Sequence, residues 1–431
     1  MILTSRFAAA VLAVSVLVAF VVRSFPALLA IDLALALLAL LDVMLAGSLR
    51  SLGLSRTGAA TTRLGEQVEV DLVIRNDGRR VVTGVVRDAW VPSAGVRTTR
   101  QPVQVRPGRV ARISTVLQPV RRGERRPDRV TIRSLGPLGL AGRQRSQIVP
   151  WAVRVLPAFP SRKHLPSRLA RLRELDGRQA LLIRGAGTEF DSLREYVAGD
   201  DVRAIDWRAT ARASDIMIRT WRPERDRRVL LVVDSGRTSA GRVGDGTRLD
   251  AAMDAAQLLA ALASRAGDRV DLLAFDRMVR ADVHGTSGPA LLAAIADALS
   301  KVDPELVETD ARGLVSAVQS RVRQRALVVL LTALEPAALE EGLLPVLPAL
   351  TARHTVVLAS ARDPRITEMG AERGDAEAVY EAAAAATALG ARGRTAELLS
   401  RMGVEVVDSA PDQLAPDLAD RYLALKAAGR L

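Results

Sequence analysis

Val229-Leu230-Leu231-Val232-Val233-Asp234-Ser235-Gly236-Arg237-Thr238-Ser239 decides the reading of the second half of the chain. Five apolar residues in a row, followed at once by an acid and by small or hydroxyl residues, mark a strand buried on both faces that ends in a polar loop. Working outward, Leu249–Ala266 has strong helical character, Val270–Phe275 and Val279–Val283 read as strands, and Pro289–Leu299 and Gly313–Val322 read as helices. Ala326–Leu331 and Thr355–Ala359 are further buried strands, and helix-forming sequence dominates from there on, apart from Val404–Val407. Such alternation predicts a doubly wound α/β domain over residues 229–431. Folds of this kind bind ligands outside the carboxyl ends of the strands, at a topological switch point, which directs attention to Asp234.

An acid followed two and four residues later by small or hydroxyl residues suits a cation loop with oxygen ligands, of the kind that takes Mg²⁺ or Mn²⁺. The pattern resembles the metal-ion-dependent adhesion site of von Willebrand factor A domains, Asp-x-Ser-x-Ser with a Thr and an Asp from later loops. Asp234, Thr238 and Thr309 fill three of those places, so they are the expected metal ligands. Gly236 replaces the first Ser, and Thr332-Ala333-Leu334-Glu335 follows the Ala326–Leu331 strand where an Asp is expected. The site is therefore read as degenerate, with Asp234 and Thr238 also able simply to order the turn. An aspartyl-phosphatase reading of Asp-x-Gly-x-Thr needs an acid/base two residues after the nucleophile, and Gly236 cannot transfer a proton. No Gly-x-Ser-x-Gly elbow and no Walker phosphate loop occurs in this domain.

Upstream, residues 48–160 read as β-rich. Val68–Arg75 alternates apolar and polar residues and runs into the turn Asn76-Asp77-Gly78, the pattern of a half-buried strand. Looser strand patterns at Val81–Val91, Arg109–Val120, Val130–Ser134 and Ile148–Leu156 predict a small sandwich-like all-β domain. The chain of 431 residues has a net charge of +13, and that charge is confined here: residues 48–160 hold 21 Arg against 7 acids. Aromatic residues make up only 3%, which argues against base-stacking platforms, so no specific nucleic acid is expected. Cysteine is absent and the three histidines, His164, His284 and His354, are far apart, which excludes thiol chemistry and makes a multi-His metal site improbable.

Two apolar runs open the chain, Phe7–Val22 and Pro26–Gly47, separated by Arg23-Ser24-Phe25. They predict a two-helix transmembrane hairpin over residues 1–47. A signal peptide is the competing reading, disfavoured because a second span follows directly. Asp32 is expected near the interface and Asp42 in a helix–helix contact. Arg6, Arg50, Arg56 and Arg63 flank the outer ends, which predicts a two-pass cell-membrane protein with its soluble domains in the cytoplasm. A basic domain beside a membrane implies contact with anionic lipid.

The segment 161–228 carries the most specific pattern. Gly187-Thr188-Glu189-Phe190-Asp191-Ser192-Leu193-Arg194-Glu195-Tyr196-Val197-Ala198-Gly199-Asp200-Asp201-Val202-Arg203 runs on into Ala204-Ile205-Asp206-Trp207-Arg208-Ala209-Thr210-Ala211-Arg212. This resembles the signature of the domain-of-unknown-function 58 family, G-x-E-F-x-x-L-R-x-Y-x-x-G-D-D-x-R-x-I-D-W-x-x-x-A-R. Arg121–Leu140 is similar to a second family stretch, with Gly136 where Asp is usual. The resemblance implies an N-terminal membrane hairpin, a β domain, the signature and a von Willebrand A-like domain. It also implies a MoxR-type AAA+ ATPase partner and an adaptor or assembly role. Glu189, Phe190, Leu193, Arg194, Tyr196, Gly199, Asp200, Asp201, Arg203, Asp206, Trp207 and Arg212 are the expected signature residues, read either as an ion-pair lattice that locks domains together or as a docking surface. Phe190, Tyr196, Trp207 and Trp221 are expected to anchor packing.

The expected function is that of a membrane-anchored interaction protein without catalytic activity. The alternatives are a metal-dependent hydrolase using the Asp234 loop and a lipid- or nucleic-acid-binding module led by the β domain.

Overall fold

Alternation in Val68–Asn76 buries Val68, Val70, Leu72, Ile74 and Asn76 and turns Glu69 and Arg75 to solvent. That strand is the middle one of a three-stranded sheet. The computed structural model describes residues 1–21, 25–182, 189–197, 200, 202–213, 215–222, 227–372 and 374–431. They divide into two units, Met1–Leu156 and Pro157–Leu431.

The first unit opens with β1 (Ile2–Leu3), α1 (Ser5–Val21) and α2 (Phe25–Leu45). Ten strands follow: β2 (Leu52–Gly58), β3 (Thr61–Arg63), β4 (Val68–Asn76), β5 (Val82–Trp90), β6 (Arg100–Val105), β7 (Val110–Leu117), β8 (Gly123–Arg125), β9 (Pro127–Leu135), β10 (Ala141–Gln147) and β11 (Val153–Leu156). They form a five-stranded sheet in the order β1-β10-β9-β5-β6 and two three-stranded sheets, β2-β4-β7 and β3-β11-β8. The β3–β11 pair is parallel and the other pairs of this unit are antiparallel. Leu72, Ile74 and Ile113 from one sheet meet Val82, Val86, Val103, Val130 and Ile132 from another to make the core. Within this apolar interior Arg56 and Asp88 form a bidentate pair at 2.8 and 2.5 Å. Trp90 Nε1 and Thr115 Oγ1 also donate to Asp88, Arg56 Nε donates to the Val149 carbonyl, and the Arg56 guanidinium lies 5.1 Å from the Trp90 ring centroid. The pair is thus hydrogen-bonded on all sides, which makes a buried charge tolerable.

Among the described residues one helix, Phe25–Leu45, is long and apolar enough to cross a membrane. Its 21 residues span about 31 Å, against a hydrocarbon core of about 30 Å. The expected two-helix hairpin is therefore corrected: α1, with 17 residues, falls short of that length. The two-pass topology is withdrawn with it. Asp42 is also placed differently from expectation. Its side chain is fully buried and spent on a turn of the β unit, accepting hydrogen bonds from the backbone N–H groups of Leu138 (2.8 Å), Leu140 (2.8 Å) and Ala141 (2.9 Å) between β9 and β10. Asp32 is the acid that faces α1, accepting a 3.5 Å contact from Ser15 Oγ. Gly136 lets the turn approach, since a Cβ there would lie 2.2 Å from Asp42 Oδ1. Arg143 Nε donates to the Val43 carbonyl (3.1 Å), and Arg80 donates to that of Met44, so basic side chains finish the carboxyl end of α2.

The second unit runs α3 (Leu165–Leu182), β12 (Glu189–Glu195), α4 (Trp207–Thr210), β13 (Met217–Arg222), β14 (Arg228–Asp234), β15 (Arg242–Val243), β16 (Gly246–Thr247), α5 (Arg248–Arg265), β17 (Arg269–Phe275) and β18 (Val279–Val283). It continues with α6 (Pro289–Ser300), α7 (Ala311–Arg321), β19 (Leu327–Leu331), α8 (Pro336–Ala338), α9 (Pro348–Thr351), β20 (Thr355–Ala361), α10 (Pro364–Ala371), α11 (Ala376–Arg401), β21 (Val404–Ser409) and α12 (Pro411–Ala427). Six strands form one sheet in the order β18-β17-β14-β19-β20-β21. It is mixed: β18 runs antiparallel to β17 and the other neighbours are parallel. With three further sheets in the first unit, the described chain is richer in β structure and in mixed sheets than the expected fold class.

Thr247 and Asp250 form a reciprocal capping box that starts α5, and α5 is buried along almost its whole length. It packs with α12 on one face of the sheet, where Leu258, Leu262, Leu418 and Tyr422 share a core with Leu231 and Val233. Asp268 ties the two helices, accepting from the Tyr422 hydroxyl and pairing with Lys426 Nζ at 3.3 Å. Leu230, Val232, Leu314, Val318 and Leu343 build the core on the opposite face.

Candidate functional site

The buried run of β14 delivers Asp234 to the carboxyl end of the sheet, with β17 on one side and β19 on the other. The chain leaves β14 for β17 in one direction and returns later at β19 in the other, so the β14–β19 boundary is the switch point. Asp234 and Thr332, which directly follows β19, meet there.

Asp234 is 5% exposed. Its Oδ1 accepts from the Gly236 N–H (2.8 Å) and from Thr309 Oγ1 (2.6 Å), and its Oδ2 accepts from Thr332 Oγ1 (2.5 Å) and Thr238 Oγ1 (3.4 Å). One amide and three hydroxyl groups thus converge on one carboxylate. Beside the loop, Ser235 Oγ donates to the buried Asp276, which also accepts from Arg280 Nε (2.6 Å) and from the N–H groups of Arg277 and Met278. Burial alone would raise the pKa of Asp276; the Arg280 bond and the two amides outweigh it and hold the carboxyl below its ordinary value.

Asp234, Thr238, Thr309 and Thr332 rim a cavity of about 60 Å³ whose walls are Val232, Leu314, Leu330, Leu339 and Leu343. Across its mouth Arg237 pairs with Glu308, at 2.8 Å from Nε and 2.5 Å from Nη2, and both side chains are more than half exposed. The cavity is apolar inside, hydroxyl-rimmed and bordered by one exposed ion pair.

The structure brings together the three expected ligands, Asp234, Thr238 and Thr309, and adds Thr332. This donor set does not fit a resident divalent cation: it has one carboxylate, and each of its two oxygens already accepts two hydrogen bonds, which leaves no lone pair open to a metal. Each threonine hydroxyl directs its proton at the single carboxylate. Glu335 pairs with Arg248 (2.6 Å) and Arg392 (3.8 Å), and Glu308 is held by Arg237. A Cβ at Gly236 would lie 2.1 Å from Thr309 Oγ1, so a Ser cannot enter the loop at that place without displacing Thr309. Among the described residues no group of three or more His, Cys, Asp or Glu is arranged to hold a metal.

The signature segment forms the antiparallel hairpin β12–β13, in which Phe190 is the Cα partner of Trp221. Its ion pairs are local. Arg194 binds Asp200 at 2.6 Å, and Asp200 also accepts from the Val197 N–H. Asp206 caps α4 by accepting from the N–H groups of Arg208 and Ala209 and pairs with Arg219 at 2.7 Å. The Ala209 amide and then Arg219 lower the pKa of Asp206. Trp207, the first residue of α4 after the Asp206 cap, is 69% exposed, so it is not the packing anchor expected of it. Leu193, Val197 and Val202 are exposed beside it in sequence, as are Arg203 and Arg212. Glu189 and Phe190 lie on β12 and Tyr196 directly follows it. The side chains of Glu189, Phe190 and Trp221, and residues Gly199 and Asp201 altogether, lie outside the described residues.

Sequence reasoning missed Thr332 and the Arg237–Glu308 pair. The signal for Thr332 was present: a hydroxyl residue at the end of a buried strand next to the acid-bearing strand.

A family model described as "Protein of unknown function DUF58" matches residues 192–388. Uncharacterized proteins of Mycobacterium tuberculosis and Mycobacterium bovis are each 29% identical to this chain over 204 residues, 45% of this chain and 61% of theirs. The chain thus matches about three fifths of the length of these relatives. Among solved structures, the CARDB domain of the PF1109 protein from Pyrococcus furiosus is 16% identical and covers 24% of this chain and 87% of its own, with a TM-score of 0.20. A β-glucosidase from Erythrobacter marinus is 21% identical over 25% of this chain and 15% of its own, with a TM-score of 0.18. TM-scores this low assign no fold.

Proposed function

We propose that this chain is a membrane-anchored interaction protein without catalytic activity of its own, which presents the Asp234 end of its α/β unit to a partner. The observation that carries the reading is the closed hydrogen-bond set on Asp234 above a small apolar cavity. A catalytic carboxylate needs a free lone pair and a second group to exchange protons with. Here one carboxylate orders three loops into a preformed rim, and the cavity has room for the tip of an apolar side chain. The strand order, with β14 flanked by β17 and β19 and a short antiparallel edge strand, supports a von Willebrand A-like reading of the unit.

The α2 helix is the anchor of this proposal. Arg6, Arg50, Arg80, Arg143 and Arg145 gather in the part of the first unit at its carboxyl end, which by the positive-inside rule favours a cytoplasmic position for the soluble units. The partner is taken to be a MoxR-type AAA+ ATPase, on the family resemblance. The test is affinity capture of the full chain from detergent-solubilised membranes, with Arg237→Glu as a surface variant that leaves the Asp234 set intact. Recovery of an AAA+ ATPase with the wild type, and its loss with Arg237→Glu, is the expected result. Absence of any such ATPase from the wild-type capture refutes the adaptor reading.

A further inference from the structure

We propose that the first unit holds a phosphate-recognising site for the headgroup of an anionic phospholipid at the foot of α2. The proposal rests on the reading of Phe25–Leu45 as a membrane anchor. A cavity of about 830 Å³ opens there, lined by Ser48, Arg50, Arg143, Gln144 and Arg145 together with apolar residues of the α2 end and the N-terminus. Arg50, Arg143, Arg145 and Ser48 line one space, and no residue that lines it is acidic.

Its position sets its ligand. Leu33, Leu37, Leu41, Met44 and Leu45 stand exposed along α2, from 61% at Leu33 to 43% at Leu45. The exposed apolar shaft ends at Leu45, and the basic cavity begins with Val43 and Ser48. In a bilayer that step is the boundary between hydrocarbon and headgroups, where lipid phosphates lie.

The arginines are held in place. Arg143 Nε donates to the Val43 carbonyl at 3.1 Å and Arg145 Nη1 to the Leu49 carbonyl at 3.0 Å. A guanidinium carries five donors, so one such bond orients the group and leaves others for a phosphate. A planar, oriented guanidinium binds phosphate oxygens two at a time, which a mobile surface lysine does not do. The Asp42 contact to the Leu138–Ala141 turn fixes the strand that carries Arg143 and Arg145 to the helix that enters the membrane. Arg50, exposed and also lining the cavity, completes the site.

The test uses the full chain purified in detergent. Its thermal midpoint is followed during titration with short-chain phosphatidylglycerol, with phosphatidylcholine of the same chain length, and with inorganic phosphate. Phosphatidylglycerol is expected to raise the midpoint in a saturable manner and phosphatidylcholine to leave it unchanged. Arg50→Gln, which removes no intramolecular bond described above, is expected to weaken the phosphatidylglycerol response about fivefold, and Arg50→Gln with Arg145→Gln about twenty-fold or more. Arg126→Gln, at the other end of β9, is expected to match the wild type. Equal responses to the two lipids, or no change with Arg50→Gln, overturns the site. A full response to inorganic phosphate with no further gain from phosphatidylglycerol overturns the lipid assignment. Alkaline carbonate extraction of membranes separates the two readings: a chain that stays with the membrane but shows no headgroup preference refutes the site alone, and a chain that is released refutes the anchor.

Discussion

Replacing Asp42 with alanine removes the acceptor from three backbone donors at once. The Leu138, Leu140 and Ala141 N–H groups all lie within 2.9 Å of its carboxylate, and the Ala141 bond is buried. A hydrogen bond to a charged group contributes about 1.5–3 kcal/mol, and a buried donor left unpaired costs about 1–3 kcal/mol. Water can reach the part-buried Leu138 and Leu140 groups once the side chain is gone, so only Ala141 bears the whole penalty. The expected loss is about 3–5 kcal/mol, capped by the free energy that docks the turn on α2. Asp42→Asn keeps one oxygen, which can serve Leu140 and Ala141, but it points an NH₂ group at the Leu138 N–H; about half that loss is expected. The assay is amide hydrogen exchange on the full chain in detergent, read over residues 136–142. At about 1.4 kcal/mol per tenfold, Asp42→Ala accelerates exchange there by roughly a hundredfold or more, with Asp42→Asn between it and the wild type. Exchange in both variants within threefold of the wild type would falsify the clamp.

Three further outcomes follow from the same geometry. Gly236→Ser has no backbone strain to overcome, since φ is −73°, but it drives a Cβ against Thr309 Oγ1; it should cost about 1–3 kcal/mol, partly recovered by adding Thr309→Ala, and Mg²⁺ should shift the melt of neither wild type nor variant. If Mg²⁺ raises the wild-type melting temperature at millimolar levels, the hydrogen-bonded reading of Asp234 is wrong. Asp88→Ala strands the buried Arg56 guanidinium and should destabilise the first unit by about 3–5 kcal/mol in chemical denaturation, whereas a loss under 1 kcal/mol would show the pair to be solvated. His354 is 5% exposed, its ring nitrogens have no hydrogen-bond partner among the described residues, and burial, then the charge of Arg353, lowers its pKa. The unfolded chain therefore binds more protons below pH 6.5, so stability falls as pH drops from about 6.5 through the depressed folded value; His354→Leu should flatten that part of the melting profile, and an unchanged slope contradicts the assignment.

Much of the backbone was legible because local pattern and burial agree. The alternation of Val68–Arg75 and the turn after it are β4 and its end, and the unbroken apolar run from Val229 is a strand buried on both faces. Errors came where the deciding partner is remote in sequence. Asp42 reads as an acid misplaced in lipid until the three amides, 96 to 99 residues away, are brought to it. Arg56 reads as a topogenic flanking charge, yet it is spent inside the β core on Asp88. The hairpin reading counted apolar composition and gave too little weight to the length of the first run. At the site, Asp234 and Thr238 stood out by their spacing after a buried strand, and Thr309 by the resemblance to the adhesion-site pattern. Thr332 was passed over because an acid was sought after β19, and a hydroxyl completes the set. Trp207 was assigned to packing because aromatic residues are scarce here; no composition argument reveals that it opens a short capped helix with its side chain exposed.

The pairing of α5 with α12 sets an order of events during synthesis. Residues 248–265 form a helix whose buried face is closed by residues 411–427, and Asp268 waits for Tyr422 and Lys426. The apolar α2 segment leaves the ribosome some 380 residues before that closing helix, an interval of roughly 20–80 s at ~5–20 residues per second. On the anchor reading proposed for α2, the nascent chain is thus held at the membrane while the α/β unit still has an open apolar face. Until residues 411–427 arrive that face stays open, so truncation just short of residue 411 should yield a chain whose first unit folds and whose α/β unit is readily cleaved in limited proteolysis.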